Sequence, residues 1–79
     1  MSKLNPISAD RFIKFLEYVG CSFVSQKGSH KKFWRSDLNR PIIVPIHALD
    51  LPIFVVKNAL RVLKVSNEQY LQILEKEKI

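Results

Sequence analysis

From Ser8 to Gly20 the apolar side chains fall at Phe12, Phe15, Leu16 and Val19, spaced i, i+3, i+4 and i+7. That spacing makes one stripe of an amphipathic helix. Ser8 suits the N-cap, where its hydroxyl accepts from an otherwise unpaired backbone N–H, and Asp10 complements the positive end of the helix dipole. Gly20 predicts the stop, because it adopts the left-handed conformation at little cost. The period then changes to two. Residues 21–26 read as a first strand, Lys27-Gly28-Ser29 as a tight hairpin connection, and His30 to Arg35 as a second strand. With Phe33 toward the core, His30, Lys32 and Trp34 share the opposite, accessible face, and Lys31 turns away from His30. Asp37-Leu38-Asn39 is the next turn and Arg40 to Val44 the third strand. Pro45 cannot donate to a ladder, so this strand is an edge or ends there.

Beyond it, Asp50 predicts the cap of a second helix, with Pro52 tolerated in the first turn. Val56, Leu60 and Leu63, widened by Val55, Ala59 and Val62, form a stripe suited to packing on a sheet. Ser66-Asn67-Glu68-Gln69 is a capping box opening a short last helix through Tyr70, Leu71 and Leu74, with Glu75 to Ile79 expected to fray. The runs Ile42-Ile43-Val44 and Ile53-Phe54-Val55-Val56 read as core, any excess facing a partner. The order helix, three antiparallel strands, helix, short helix predicts an α+β domain with its helices on one face of the sheet.

At 79 residues the chain predicts one domain over 1–79, because a second core could not be filled. The single cysteine, Cys21, excludes an internal disulfide and reads as a small buried hydrophobe. One Cys and two His are too few for a closed zinc site, and no metal or other cofactor is expected. No apolar run resembles a signal-peptide core or approaches a bilayer span, so the cytoplasm is the expected location, without membrane attachment.

Charge sharpens this outline. The net charge is +6, and its distribution is uneven: from Lys27 to Lys64 eight basic residues face only Asp37 and Asp50, while the other acidic residues gather toward the ends. A basic middle on a small domain suggests a polyanionic partner, foremost a nucleic acid, against the plainer reading of a soluble basic surface.

The candidate chemistry sits at Gly28-Ser29-His30, followed by Lys31 and Lys32. Histidine is the side chain suited to proton transfer near neutrality, and lysines beside it attract phosphate. Cleavage of RNA through the ribose 2′-hydroxyl needs a base, an acid and positive charge around the phosphorus, so His30 is the candidate acid or base. Lys27, Lys31 and Lys32 are the candidate phosphate ligands. Gly28 allows close backbone approach and Ser29 can donate to a phosphate oxygen. The plain alternative for His30 is an exposed strand-end imidazole without a role. His47 either completes an acid–base pair or is a loop histidine before the second helix. Trp34 either stacks on an unpaired base or packs against a helix or partner. Arg35 and Arg40 are phosphate contacts or solvated strand charges. Lys57, Arg61 and Lys64, at i, i+4 and i+7, form either a phosphate-tracking or a solvated helix face.

Taken together, Gln26-Lys27-Gly28-Ser29-His30, the aromatic Phe33, Val44-Pro45-Ile46-His47, the helix containing Val56-Lys57-Asn58-Ala59-Leu60, and Ser66 opening the last helix resemble the HicA-type toxins of type II toxin–antitoxin modules. The resemblance runs from about Leu4 to Leu74. It implies a double-stranded-RNA-binding-domain-like fold, an mRNA interferase activity with the catalytic histidine at His30, and neutralisation by a HicB-type antitoxin. The chain departs from the family's pattern at Cys21, where an aromatic is usual, at Ser25, where a basic residue is common, in Ala48 to Phe54, and at Lys64, where a glycine is frequent. Two rival readings accompany it: a catalytically inactive RNA-binding module of the same fold, and a protein retained only for pairing with an antitoxin-like partner.

Overall fold

The computed structural model describes residues 4–46 and 49–79. The order is α1 (Ala9–Tyr18), β1 (Ser22–Lys27), β2 (His30–Trp34), β3 (Ile42–Pro45), α2 (Ile53–Leu63) and α3 (Asn67–Lys76). The strands form one antiparallel sheet in the order β1-β2-β3. This is the expected α+β architecture, compatible with a double-stranded-RNA-binding-domain-like fold.

Local signals explain most of the boundaries. The Ser8 hydroxyl accepts from the Arg11 N–H, capping α1. Gly20, at φ 95°, closes it, with the Cys21 N–H bonded to the Leu16 carbonyl and the Gly20 N–H to that of Glu17. Ser66 and Gln69 form the reciprocal capping box of α3. The helical stripes of α1 and α2 pack onto β3, and the core gathers Phe12, Phe15 and Leu16 with Val56, Leu60 and Leu63 around Phe33, Ile42 and Val44. Tyr70 on α3 completes it, its ring edge-on to Phe15 at 4.8 Å. Burial pushes the Tyr70 hydroxyl up to about 12, and that oxygen has no hydrogen-bond partner among the described residues.

Three expectations need correction. Asp50 does not cap α2: the N-cap is Pro52, with no side-chain hydrogen bond, and the helix starts at Ile53. The cause is long-range, since the Leu51 N–H is bonded to the Ile7 carbonyl at 2.7 Å and Leu51 is fully buried, which holds the chain extended one residue before the proline. The C-terminal residues are tied down, not frayed. Arg11 Nη2 donates to the Ile79 carbonyl at 2.6 Å, the Ile79 N–H bonds to Leu74, and Ile79 packs against the core. Finally, Ile43, Ile53 and Phe54 are exposed, Phe54 at 65%, so the two apolar runs are core only in part.

Lys64 carries a strain that the sequence departure foreshadows. It closes α2 at φ 60°, ψ 39°, with its own N–H bonded to Arg61 and that of Val65 to Leu60, the arrangement in which glycine costs least. A left-handed non-glycine residue costs about 1–2 kcal/mol. Lys64→Gly is therefore expected to stabilise the fold by about 1 kcal/mol, read as a rise in melting temperature of about 4–8 °C. A lower melting temperature would contradict this account.

Candidate active site on the open face of the sheet

The helices cover one face of the sheet and leave the other to solvent. On β2 the alternation is as expected: Phe33 is buried, while His30, Lys32 and Trp34 are exposed on the opposite side. The hairpin turn is Gly28-Ser29, shorter than expected, because Lys27 belongs to β1 and pairs with His30. Gly28 has φ 59° whereas Ser29 is not in the positive region, the pattern of a type II′ turn that matches the twist of the strands. The turn is held from both sides. Gln26 Nε2 donates to the Gly28 carbonyl at 3.0 Å, and the Ile46 N–H donates to the Ser29 carbonyl at 2.7 Å. A side chain added at Gly28 would meet nothing within 4 Å, so the approach to the turn is open.

What faces His30 from β1 is decided by a bulge. Phe23 pairs with Phe33, but the next rung joins Ser25, not Val24, to Lys32, and Lys27 to His30. Without the extra residue Gln26 would stand opposite His30 and the lysine would fall beyond the strand. With it, Ser25, Lys32 and Ile43 align across the three strands, and Lys27, His30 and Pro45 two rungs on. A hollow of about 430 Å³ lies between Ser25, Lys27, His30, Lys32 and Ile43. Its ionisable walls are two lysines and an imidazole, with no carboxylate, so the hollow suits an anion. The sequence marks Ser25 only as a departure from the family pattern and Ile43 only as core, neither as a site residue; the missing signal was register, which the unforeseen bulge at Val24 shifts by one residue.

The other sequence candidates are distributed as follows. Ser29 sits in the turn itself and Lys31 is half-buried, turned to the Phe33 side and away from His30. Trp34 shares the open face but stands four residues from His30, about 13 Å along the strand. Lys57, Arg61 and Lys64 are exposed on α2 or at its end. His47 lies outside the described residues. Among the described residues no group of three His, Cys, Asp or Glu side chains could hold a metal ion. No described helix is long and apolar enough to cross a membrane.

Arg35 belongs to the frame of the domain. Its Nε and Nη2 donate to the two carboxylate oxygens of Asp37 at 2.5 and 3.0 Å, and Nη1 donates to the Val19 carbonyl at 2.5 Å. The guanidinium thus ties the end of β2 to the end of α1, and its donors point away from the open face. The hydrogen bond from Arg35 holds the Asp37 carboxyl below the usual carboxylate range. Burial pushes the Cys21 thiol up, as fits a packed side chain. For Asp37 the sign follows directly: a depressed folded value contributes stability above the unfolded value of about 3.9, and that contribution is lost as the pH falls through the folded value. Asp37→Asn should therefore melt below wild type at pH 7, with the difference shrinking toward zero below about pH 4. A difference that grows in acid would refute the pairing.

A family profile described as the HicA toxin of bacterial toxin–antitoxin systems matches residues 9–65, which contain α1, the whole sheet and α2. The chain belongs to the HicA toxin family. It is accordingly the toxin of a toxin–antitoxin module. No curated protein matches it. The matched stretch places Gly28-Ser29-His30 inside the HicA domain, whereas α3 and its capping box lie beyond it.

Proposed function

We propose that this HicA toxin is an mRNA interferase, a metal-independent endoribonuclease with His30 as its catalytic residue, neutralised in the cytoplasm by a HicB-type antitoxin. The observation that carries the reading is the rung Lys27–His30 at the mouth of a two-residue turn, with Lys32 on the same face, in a chain of this family.

The chemistry asked of the site is a transesterification. The ribose 2′-oxygen attacks the adjacent phosphorus as a base removes its proton, and the P–O5′ bond breaks as an acid protonates the leaving oxygen. The products are a 2′,3′-cyclic phosphate and a 5′-hydroxyl, with atoms and charge balanced. His30 serves one of these proton transfers, each typically worth about 10²–10⁴-fold. Lys27 and Lys32 neutralise the phosphate and its pentacoordinate transition state. Ser25 and Ser29 offer hydroxyl donors to phosphate oxygens, and Gly28 keeps the approach open.

The test is cleavage of single-stranded RNA by purified toxin in excess EDTA, with end-group analysis of the fragments. Undiminished cutting that leaves cyclic phosphate ends is expected. Loss of cutting in EDTA would remove the metal-free step, and tight binding without any cutting would leave an RNA-binding module. With about 3–5 phosphates engaged, log affinity should fall with log salt at a slope of about −2 to −4. A flat salt dependence would remove the basic face as the RNA surface.

A further inference from the structure

His30 borders a second depression. A groove of about 810 Å³ runs along the β3 edge, between that strand and α2. His30 lies at its boundary with the hollow described above, and Ile43 is shared by both. The far wall is the ridge Phe54, Asn58 and Val62, spaced i, i+4 and i+8 on α2. Arg40 lies along the strand side.

We propose that this groove binds one unpaired nucleobase of the RNA, next to the phosphate held at His30, with Phe54 as its stacking platform and Asn58 as the group that reads its edge. The inference rests on the ribonuclease reading and deepens it by assigning specificity. Four observations carry it. Phe54 is the most exposed aromatic of the chain, at 65%, and it stands in the first turn of α2 where a core role is excluded. Asn58, one turn on, is the only uncharged polar side chain among the described residues of the groove, and an amide can both donate to and accept from a base edge. The groove's ionisable members are His30 and Arg40, without a carboxylate, and Lys57 and Arg61 follow on the exposed side of the same helix. Apolar walls inside and cations outside match a base flanked by its phosphates. Lastly, His30 and Ile43 line both the groove and the hollow, so the base site adjoins the phosphate site.

The experiment measures binding and cleavage separately, on a mixed-sequence single-stranded RNA, for wild type, Phe54→Ala, Phe54→Tyr and Asn58→Ala. Phe54→Ala should raise KM and the RNA dissociation constant by about 5- to 150-fold, the range of one lost base stack, with kcat within about twofold. Phe54→Tyr, which keeps the ring, should restore both. Asn58→Ala should erase the base preference at one fixed position relative to the cut, kcat/KM for RNAs with the preferred base there falling to that of the others. An abasic residue at that position should weaken binding to wild type and add nothing in Phe54→Ala. A wild type that binds without cutting, yet loses affinity in Phe54→Ala, would keep the base site and sink the catalytic reading. A wild type that cuts, with unchanged affinity and cleavage pattern in Phe54→Ala and Asn58→Ala, would overturn the base site. The same unchanged pattern combined with escape from neutralisation by the antitoxin would assign the groove to a protein partner instead, which also overturns it.

Discussion

His30→Ala is expected to lower RNA cleavage by at least about 10²-fold, and up to about 10⁴-fold, while RNA affinity changes little. The separation between the two effects is the substance of the prediction. His30 is exposed at the start of β2, and phosphate attraction comes from Lys27 and Lys32 on the same face, so alanine removes a proton-transfer group and leaves the cationic surface. Surface truncations away from special backbone positions usually shift stability by no more than about 0.5 kcal/mol, so the melting temperature should hold. Lys27→Ala and Lys32→Ala should instead weaken binding, with a smaller salt slope, and slow cleavage as well, because both act on phosphate and transition state. Single-turnover cleavage beside equilibrium binding makes the distinction. An alanine variant that cuts at the wild-type rate would remove His30 from the mechanism, and one that loses binding and cutting together would make it a positioning or structural residue.

How far this site could be read from the chain depends on the range of the forces that build it. Ser8 with Arg11, Gly20 with Glu17, and Ser66 with Gln69 act within three residues, and their roles were legible as spacings. The shared face of His30, Lys32 and Trp34 followed from the pleat alone. What was not legible depends on partners far along the chain. Asp50 failed as a cap because Ile7 holds Leu51 extended. The C-terminal residues are ordered by Arg11, 68 positions away. Lys27 reached His30 only through a bulge at Val24, which no composition rule specifies. Phe54 looked like core because its run is apolar, but a helix packed on a three-stranded sheet buries one stripe, and residue 54 falls outside it. The misread aromatic is the one that now carries the specificity proposal.

The second large effect belongs to the core between α1 and α3. Phe15→Ala is expected to cost about 3–5 kcal/mol, the range for deleting a buried aromatic and leaving a cavity. Phe15 is fully buried, with the Tyr70 ring edge-on at 4.8 Å and Phe12 at 5.6 Å, so its removal takes a wall from both α1 and α3 at once. A domain of this length has only about 4–12 kcal/mol in total, at 0.05–0.15 kcal/mol per residue. The loss is at least about a quarter of that total, so the variant should melt well below wild type and lose activity only as its unfolded fraction rises, without any change at the site. Tyr70→Phe separates ring from hydroxyl in the same cluster. It keeps the packing and removes a buried oxygen that has no partner among the described residues, so its stability should equal or exceed wild type by up to about 1 kcal/mol. Denaturant titration of the three proteins decides the matter. A Phe15→Ala loss below about 1 kcal/mol would mean that the cluster does not hold α1 to α3. A destabilised Tyr70→Phe would mean that the hydroxyl has a partner, since only a satisfied donor loses by its removal.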